Sequence, residues 1–201
     1  MSGANRLPDA GGLANRYSVM RHGQSKANVA GVIVSSISAD QAGDYGLTGA
    51  GREQALAAAR DCGLPPDTVI CASDFARARE TAQIVRGYLG AAEVTLEKEL
   101  RERYFGVFDG TPVANYQLVW AADEAGTGQA AGVEPAGAVL ERATGLVAGL
   151  ERRYQGRDIL LVSHGDTLQI LQAGFALTDP RAHRRLPHLD TAEIRRLRLG
   201  G

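Results

Sequence analysis

The sequence predicts an α/β fold, a three-layer sandwich in which a mostly parallel central sheet is flanked by helices. Short apolar runs alternate along the chain with longer segments of helical periodicity, as strands and helices do in this class. Two of the apolar runs end in a histidine followed by a glycine, which suits strands that end at one edge of a sheet. The 201 residues, 44% of them apolar, fit a single domain with an ordinary core.

Strands are predicted where short apolar runs are bounded by turn residues or charges. The segments that meet this description are residues 17–20, 68–72, 159–163 and 192–199. Residues 94–100 alternate between apolar and polar side chains and form a fifth candidate.

Helices are expected between these strands. Thr48 can cap a helix over residues 49–61, and Glu53 lies near the position that completes a capping box. Asp74 can cap a second helix over residues 75–88, which carries an apolar stripe.

The remaining segments complete a single domain over residues 16–201. A proline opens a long amphipathic helix over residues 135–154, and residues 166–177 form a shorter apolar one. Residues 109–132 have weak periodicity, and we interpret them as a helical excursion or lid rather than a second domain. The polar, glycine- and alanine-rich residues 1–15 are expected to form a flexible tail.

Composition excludes several classes of partner. The net charge of −1 provides no basic field for nucleic acid or an anionic membrane. No apolar run approaches the roughly 18 residues that span a bilayer, and the start of the chain lacks the regions of a signal peptide. Cys62 and Cys71 are too few for a disulfide scaffold or a zinc site, and we interpret them as reduced thiols. A cytoplasmic protein with a small-molecule substrate is predicted.

Two histidines occupy the same kind of position. Arg21-His22-Gly23 directly follows the first predicted strand, and Ser163-His164-Gly165 closes a later one. Either histidine alone would equally fit an ordinary loop residue. The chain has only four histidines, so two in one context predict a shared site beyond the carboxyl ends of the strands.

The residues around His22 suit phosphoryl chemistry. A neutral imidazole attacks phosphorus without first losing a proton, which makes His22 a candidate nucleophile. Arg21 offers a planar fork that matches phosphate oxygens, and Gly23 allows the backbone to approach an anion closely. Ser25 and Asn28 follow within one loop turn and add neutral donors.

Two later segments offer further charged groups. Arg77 lies in the first turn of a predicted helix, where free N–H groups also favour anions. Arg79 points away on the helical wheel and is expected to be solvated. Glu102 stands between Arg101 and Arg103, a pattern that also fits a surface salt-bridge cluster, so its role stays open at this point.

Taken in order, these segments resemble the histidine phosphatase superfamily, in its phosphoglycerate-mutase-like branch. The resemblance runs from about Arg16 to Leu199. It rests on matching blocks in family order, namely Arg21 to Asn28, Leu47-Thr48 with Gly51 and Gln54-Ala55, Ser73 to Ala82, Glu102-Arg103 with Gly106, and Ser163-His164-Gly165.

The resemblance implies a phosphoglycerate-mutase-like fold and a role for each matching residue. His22 would become the phosphohistidine and Glu102 would be the proton donor to the leaving oxygen. The transferred phosphoryl group would be bound by Arg21, Arg77 and a protonated His164, with Asn28 assisting. Ser25 would be a further phosphate ligand. No metal and no cofactor are implied, because the arginines can neutralise the phosphoryl oxygens.

One departure from the mutases favours a phosphatase. Between Arg103 and Arg142 the sequence has no lysine or arginine, whereas members that isomerise phosphoglycerate place several cations there. Water is then the expected acceptor. The partly aromatic character of the lid, with Tyr116 and Trp120, predicts an uncharged or modestly apolar leaving group.

Three alternatives remain from the sequence alone: a cofactor-dependent phosphoglycerate mutase, a sugar bisphosphatase, and a non-catalytic module that binds a phosphorylated ligand. A homodimer is possible. The P-loop motif is absent from the sequence, and Ser163-His164-Asp166 lacks the Gly-x-Ser-x-Gly elbow of a hydrolase triad.

Overall fold

The computed structural model describes residues 4–7, 12–128 and 130–200 and contains an α/β fold with a five-stranded sheet. The strands are β1 (Arg16–Arg21), β2 (Val69–Ala72), β3 (Thr95–Leu96), β4 (Asp158–Ser163) and β5 (Ile194–Arg196). The spatial order is β3-β2-β4-β1-β5, and every pairing is parallel except that of β1 with β5. The predicted mostly parallel sheet is therefore confirmed.

Seven α-helices accompany the sheet in the described part of the chain. They are α1 (Lys26–Ala30), α2 (Ile37–Gly43), α3 (Gly49–Asp61), α4 (Ala76–Leu89), α5 (Tyr116–Ala125), α6 (Ala136–Arg153) and α7 (Gly165–Phe175). Short 3₁₀ helices lie at Lys98–Leu100, Gly106–Phe108, Val113–Asn115 and Pro180–Arg185. None of the described helices is long and apolar enough to cross a membrane.

The central strands β1 and β4 are buried on both faces, and this arrangement creates the three layers. Val19 and Leu161 face the core formed with α6 and α7. Met20 and Leu160 face the opposite core, formed with α3 and α4. Alternate side chains of a strand point to opposite faces, so each central strand contributes to both cores.

Two predicted strands are shorter in the structure. β5 covers three residues instead of 192–199, and Ala192 adopts a positive φ of 62° that interrupts extended backbone before the strand. The candidate over 94–100 pairs with β2 only through β3, and the chain then turns into the 3₁₀ helix at Lys98–Leu100.

The predicted cap of α4 by Asp74 is wrong. The N-cap residue is Phe75, which provides no side-chain cap. Asp40 from α2 accepts a hydrogen bond from the Ala76 amide at 2.9 Å instead. Asp74 forms a two-point ion pair with Arg101, at 2.8 and 2.5 Å.

Thr48 caps α3 as predicted, through the amide of Gly51 at 3.0 Å. Glu53 does not complete a capping box, because Gly51 occupies the third helical position. A Cβ atom on Gly51 would lie 2.0 Å from the backbone oxygen of Gln24, and one on Gly23 would lie 2.3 Å from the oxygen of Gly51. The two glycines therefore let α3 pack directly on the loop that follows β1.

Residues 4–7, the described part of the predicted N-terminal tail, contact the body of the protein. Leu7 is buried in the core beside α6 and α7. The Asn5 amide donates to the Gly174 oxygen at 2.8 Å, and the Arg6 backbone donates to Thr144 at 3.1 Å. The segment 109–132, predicted as a helical excursion or lid, contains α5 and the 3₁₀ helix Val113–Asn115, and its role as a lid stays a prediction.

We predict that Gly51→Ala destabilises the protein, because the new Cβ would overlap backbone rather than a flexible side chain. Overpacking of this kind typically costs about 1–3 kcal/mol. Gly49→Ala is the matched control, since it lies in the same helix with open space around it. Thermal unfolding of both variants would test this, and equal melting temperatures would contradict the proposed packing.

Candidate active site

The parallel pairing of β1 with β4 brings the two motif histidines together. Arg21 is in register with Ser163, so His22 and His164 leave the sheet side by side. Their rings meet edge to face with centroids 5.2 Å apart, and both are buried. The structure thus confirms the predicted juxtaposition beyond the carboxyl ends of the strands.

His22 is held as a neutral ring with one nitrogen directed into the site. Its Nδ1 lies 2.8 Å from the carbonyl oxygen of Gly23, so Nδ1 carries the proton. Its Nε2 accepts a hydrogen bond from Nε of Arg77 at 3.2 Å. Burial and the charges of Arg77 and Arg21 hold the pKa of His22 well below its usual range. The Nε2 lone pair is therefore unprotonated and can attack once Arg77 donates to a ligand instead.

Arg77 is fixed by four contacts. Besides its contact with His22, it donates to Asp40 at 3.2 Å and to the Val34 oxygen at 2.9 Å, and it lies over the Phe75 ring. The side chains of Arg77 and Asp40 are both buried. Sequence reasoning missed Asp40, since no motif marks a carboxylate 37 residues before its partner.

Two buried polar atoms in the described part of the chain have no hydrogen-bond partner, and both belong to predicted phosphate ligands. They are Nε of Arg21 and Nδ1 of His164. Arg21 is anchored through Nη1, which donates to the Leu189 oxygen at 3.0 Å and contacts His188 at 2.8 Å. Buried polar atoms are rarely left unpaired, so these two nitrogens are candidates to contact an anionic ligand.

His164 contacts the Ser73 hydroxyl. Nε2 of the ring lies 2.8 Å from this hydroxyl, which also accepts from the Phe75 amide at 3.3 Å and has a proton that it can donate to Nε2. In that arrangement the ring proton lies on Nδ1. Burial and the neighbouring charge of Arg77 hold the pKa of His164 well below its usual range, which favours the neutral ring.

Glu102 is buried at the same site and is not part of a surface cluster. One carboxylate oxygen accepts from the Arg103 amide at 2.9 Å and from the backbone and hydroxyl of Thr167, each at 3.2 Å. The other oxygen has no protein partner within the described residues. Burial, followed by the charge of Asp166, raises the pKa of Glu102, while Arg77 opposes the shift. This carboxyl is suited to carry a proton.

Behind Glu102 lies a buried charge network that the sequence did not reveal. Arg103 donates to Asp123 of α5 at 2.5 and 3.0 Å and to Asp166 of α7 at 3.2 Å. Asp166 also accepts from Trp120 at 2.8 Å and contacts His183 at 2.9 Å. The network ties the lid helix α5 to the helix that begins after His164. Its partners are distant in sequence, and no local pattern connects them.

Ser25 and Asn28 cap α1 reciprocally. Ser25 is fully buried, and its hydroxyl accepts from the Asn28 amide at 3.2 Å. The backbone and hydroxyl of Ser25 donate to the Asn28 side-chain oxygen at 2.9 and 3.0 Å. The Ser25 hydroxyl is thus engaged in the cap. The side-chain nitrogen of Asn28 makes no hydrogen bond to another described residue. As predicted, Arg79 is exposed.

No cluster of histidine, cysteine or acidic side chains suited to a metal ion occurs among residues 4–7, 12–128 and 130–200. The positive groups at the site are the guanidinium groups of Arg21 and Arg77. The arrangement can bind a tetrahedral anion, present a nucleophilic nitrogen to it and deliver a proton beside it.

Comparison with known proteins gives a consistent result. Residues 18–201 match the family model of the histidine phosphatase superfamily, branch 1. The glucosyl-3-phosphoglycerate phosphatase of Mycobacterium tuberculosis is 30% identical over 177 residues, which cover 81% of this chain and 75% of that protein. Phosphoglycerate mutase-like protein 4 of Arabidopsis thaliana is 26% identical over 76% of this chain and 67% of its own length.

Solved structures agree. The mycobacterial glucosyl-3-phosphoglycerate phosphatase in complex with VO3 superposes with a TM-score of 0.75 at 27% identity, over 90% of this chain and 91% of that one. An Entamoeba histolytica phosphoserine phosphatase has a TM-score of 0.74 at 22% identity, over 90% of this chain and 89% of its own, and shares the fold.

We predict that Asp166→Asn lowers the pKa of Glu102. A nearby negative charge disfavours ionisation of a second carboxyl, so removal of the Asp166 charge favours the ionised form of Glu102. Carboxyl-carbon NMR titration of glutamate-labelled protein measures this directly. Asp74→Asn, which removes a carboxylate from neighbouring Arg101, is the control and should leave the titration unchanged. An unaltered Glu102 pKa in Asp166→Asn would refute the coupling.

Proposed function

The chain belongs to the histidine phosphatase superfamily, branch 1, and is a phosphomonoesterase, and we propose that it cleaves a small phosphorylated substrate through a phosphohistidine on His22. The observation that carries this proposal is the pair of buried side-chain nitrogens without a partner, on Arg21 and His164, beside Nε2 of His22, which accepts from Arg77. Three groups with complementary roles toward a phosphoryl group thus meet in one place.

The first step transfers the phosphoryl group to the enzyme. Nε2 of His22 forms a bond to phosphorus as the bond from phosphorus to the ester oxygen breaks. Arg21, Arg77 and Nδ1–H of His164 donate to the phosphoryl oxygens, and Arg77 shifts its Nε from His22 to the ligand. The free oxygen of Glu102 gives its proton to the leaving alkoxide.

The second step returns the enzyme to its starting state. A water molecule enters where the alcohol has left, and ionised Glu102 accepts a proton from it. The water oxygen bonds to phosphorus as the bond to Nε2 breaks, which releases inorganic phosphate and neutral His22. The raised pKa of Glu102 favours the protonated carboxyl that the first step requires.

Two alternatives are less well supported. A mutase or bisphosphatase needs cations for a second phosphate, and between Arg103 and Arg142 the chain supplies none. Asp123 and Glu124 lie on α5 instead. A module that only binds a phosphorylated ligand has no use for a buried carboxyl with a raised pKa beside the anion site, so Glu102 supports the enzyme.

The proposed partner is a small phosphorylated molecule. The near-neutral net charge supports the absence of nucleic acid and membrane partners. Both cysteines are free thiols, which supports a reducing compartment such as the cytoplasm. A homodimer stays a prediction, as do the assignments of Ser25 and Asn28 to phosphate binding.

We expect His22→Ala to abolish both turnover and the phosphoenzyme, because a two-step transfer requires a nucleophile. Rapid quench with labelled substrate, without acid, should trap label on the wild-type protein that is labile to acid and stable to base. Label that persists in His22→Ala, or label with the opposite stability, would assign the intermediate to another residue.

Glu102→Gln should slow hydrolysis of alkyl phosphates by about 10²- to 10⁴-fold, as loss of a general acid does. The loss should be smaller with p-nitrophenyl phosphate, whose leaving group needs little protonation. Glu99→Gln is the same substitution three residues earlier and should leave both rates unchanged. Equal losses for both substrates in Glu102→Gln would mean that Glu102 only organises the arginines.

A further inference from the structure

His188 lies in the loop between the last 3₁₀ helix and β5, and this loop is held in place on both sides. The carbonyl oxygens of Pro187 and His188 each accept a hydrogen bond from the guanidinium of Arg195 in β5, at 2.8 Å. The next residue, Leu189, is fully buried in the core formed with α6 and α7. His188 therefore has a defined position, although it is exposed.

The ring of His188 contacts Arg21, which ends β1 immediately before His22. Its Nε2 lies 2.8 Å from Nη1 of Arg21, and the same Nη1 donates to the carbonyl oxygen of Leu189 at 3.0 Å. A guanidinium has donors and no acceptor, so Nε2 of His188 accepts this hydrogen bond. The ring proton then lies on Nδ1, and the contact exists only while His188 is neutral.

The opposite edge of the Arg21 guanidinium lies at the phosphoryl site. Its Nε is buried and has no hydrogen-bond partner among the described residues. A Cβ atom on Gly165, the residue after His164, would lie 3.6 Å from this Nε and 3.9 Å from Nη2. Arg21 is thus held at Nη1, while Nε and Nη2 lie beside the start of α7, next to His164.

His188 orients Arg21 without neutralising it. Arg77, the other guanidinium at the site, forms an ion pair with Asp40. The contacts of Arg21 are instead with a carbonyl oxygen and a neutral ring. A carboxylate in place of His188 could hold the guanidinium as well, but its charge would compete with an anionic ligand. A neutral acceptor leaves the charge of Arg21 to that ligand.

Charged groups surround His188 on each element packed against it. They are Arg21 of β1, Arg184 of the 3₁₀ helix, Asp190 and Glu193 of the loop, and Arg195 of β5. Partial burial, followed by the charges of Arg21 and Arg184, lowers the pKa of His188, while the two carboxylates oppose this shift. The ring is therefore neutral at neutral pH and is protonated only below the usual histidine pKa of about 6.5.

We propose that neutral His188 is a positioning residue that holds Arg21 in place for the phosphoryl group, and that protonation of His188 releases Arg21 and weakens anion binding. This inference rests on the proposed function. A protonated ring has no lone pair at Nε2 and brings a second positive charge against the guanidinium, so the contact cannot persist. The contribution of His188 is complete above its pKa and is lost as the pH falls through it.

The test measures inhibition by sulfate, a tetrahedral dianion whose charge is constant across the histidine range of about pH 5 to 8. The inhibition constant is determined against p-nitrophenyl phosphate for the wild type, His188→Ala and His188→Gln. His188→Ala should weaken inhibition about 3- to 10-fold near the upper limit of pH, as loss of one hydrogen bond implies. His188→Gln supplies an uncharged acceptor and should restore most of the affinity there.

The pH profile separates a positioning role from a merely structural one. Toward the lower limit, the wild type should lose affinity for sulfate until it matches His188→Ala, because both then lack the contact with Arg21. His188→Gln should not show this step, since its acceptor does not titrate. Glu102 titrates in all three proteins, so its effect cancels when they are compared. Parallel profiles for the wild type and His188→Gln would overturn the proposal.

Nitrogen NMR of the histidine rings observes the contact in the intact protein without turnover. The signals of His188 are identified by their absence from His188→Gln. At the upper limit of pH the ring should be neutral with its proton on Nδ1. Arg21→Gln should raise the pKa of His188, because it removes a neighbouring positive charge. A proton on Nε2, or an unchanged pKa in Arg21→Gln, would refute the contact.

A matched variant controls for changes to the loop and its charge. Arg185→Gln removes a nearby exposed arginine that pairs with Glu124, and it should leave the inhibition constants unchanged. Melting temperatures of all variants show whether any loss arises from unfolding.

The outcomes separate this inference from the proposed function. If p-nitrophenyl phosphate is hydrolysed in a His22-dependent way but His188→Ala binds sulfate as the wild type does, the inference fails alone. Tighter sulfate binding by the wild type than by His188→Gln at low pH would also overturn it, since protonated His188 would then bind the anion itself. If no phosphate ester is hydrolysed, the proposed function fails, and NMR still decides whether His188 holds Arg21.

Discussion

Burial of the Arg77 guanidinium is the interaction on which the rest of the site depends. A buried charge is costly unless it is paired and hydrogen-bonded, and the chain meets this requirement with Asp40 and the Val34 oxygen. Asp40 also accepts from the first amide of α4, so it fixes both the side chain and the helix that carries it. Asp40 neutralises only one of the two arginines near His22, so Arg21 and Arg77 together keep a net positive charge. This charge favours the neutral form of the His22 ring and attracts an anion.

Much of the fold and the motif part of the site follow from local sequence patterns. The strands that carry His22 and His164 are continuous apolar runs, and their shared edge follows from parallel pairing. The cap of α4 and the contact of Asp40 with Arg77 do not follow, because each depends on a contact between segments far apart in the chain. Glu102 illustrates the limit of what a local sequence pattern can predict. Its sequence neighbourhood equally fits a surface salt bridge, and only its burial distinguishes the two.

The network around Arg103 joins elements that perform different tasks. Asp123 belongs to the lid helix, whereas Asp166 precedes Thr167, which holds Glu102. Removing one partner of such a buried group leaves an uncompensated charge, which is typically more costly than loss of an exposed pair. The placement of the lid and the proton affinity of Glu102 are therefore linked through the same guanidinium. Helix α5 and the carboxyl of Glu102 thus share one structural support.

The strand order determines when β1 can pair while the protein is being synthesised. Among the described residues β1, which His22 directly follows, pairs with β4 and β5, and both come much later in the sequence. The backbone partner of Arg16 is Asp158, so β1 in a nascent chain stays without these partners until β4 has left the ribosome. Pairings over such separations close slowly because their loops must be ordered first. His22 therefore comes to lie beside His164 only after β1 has paired with β4.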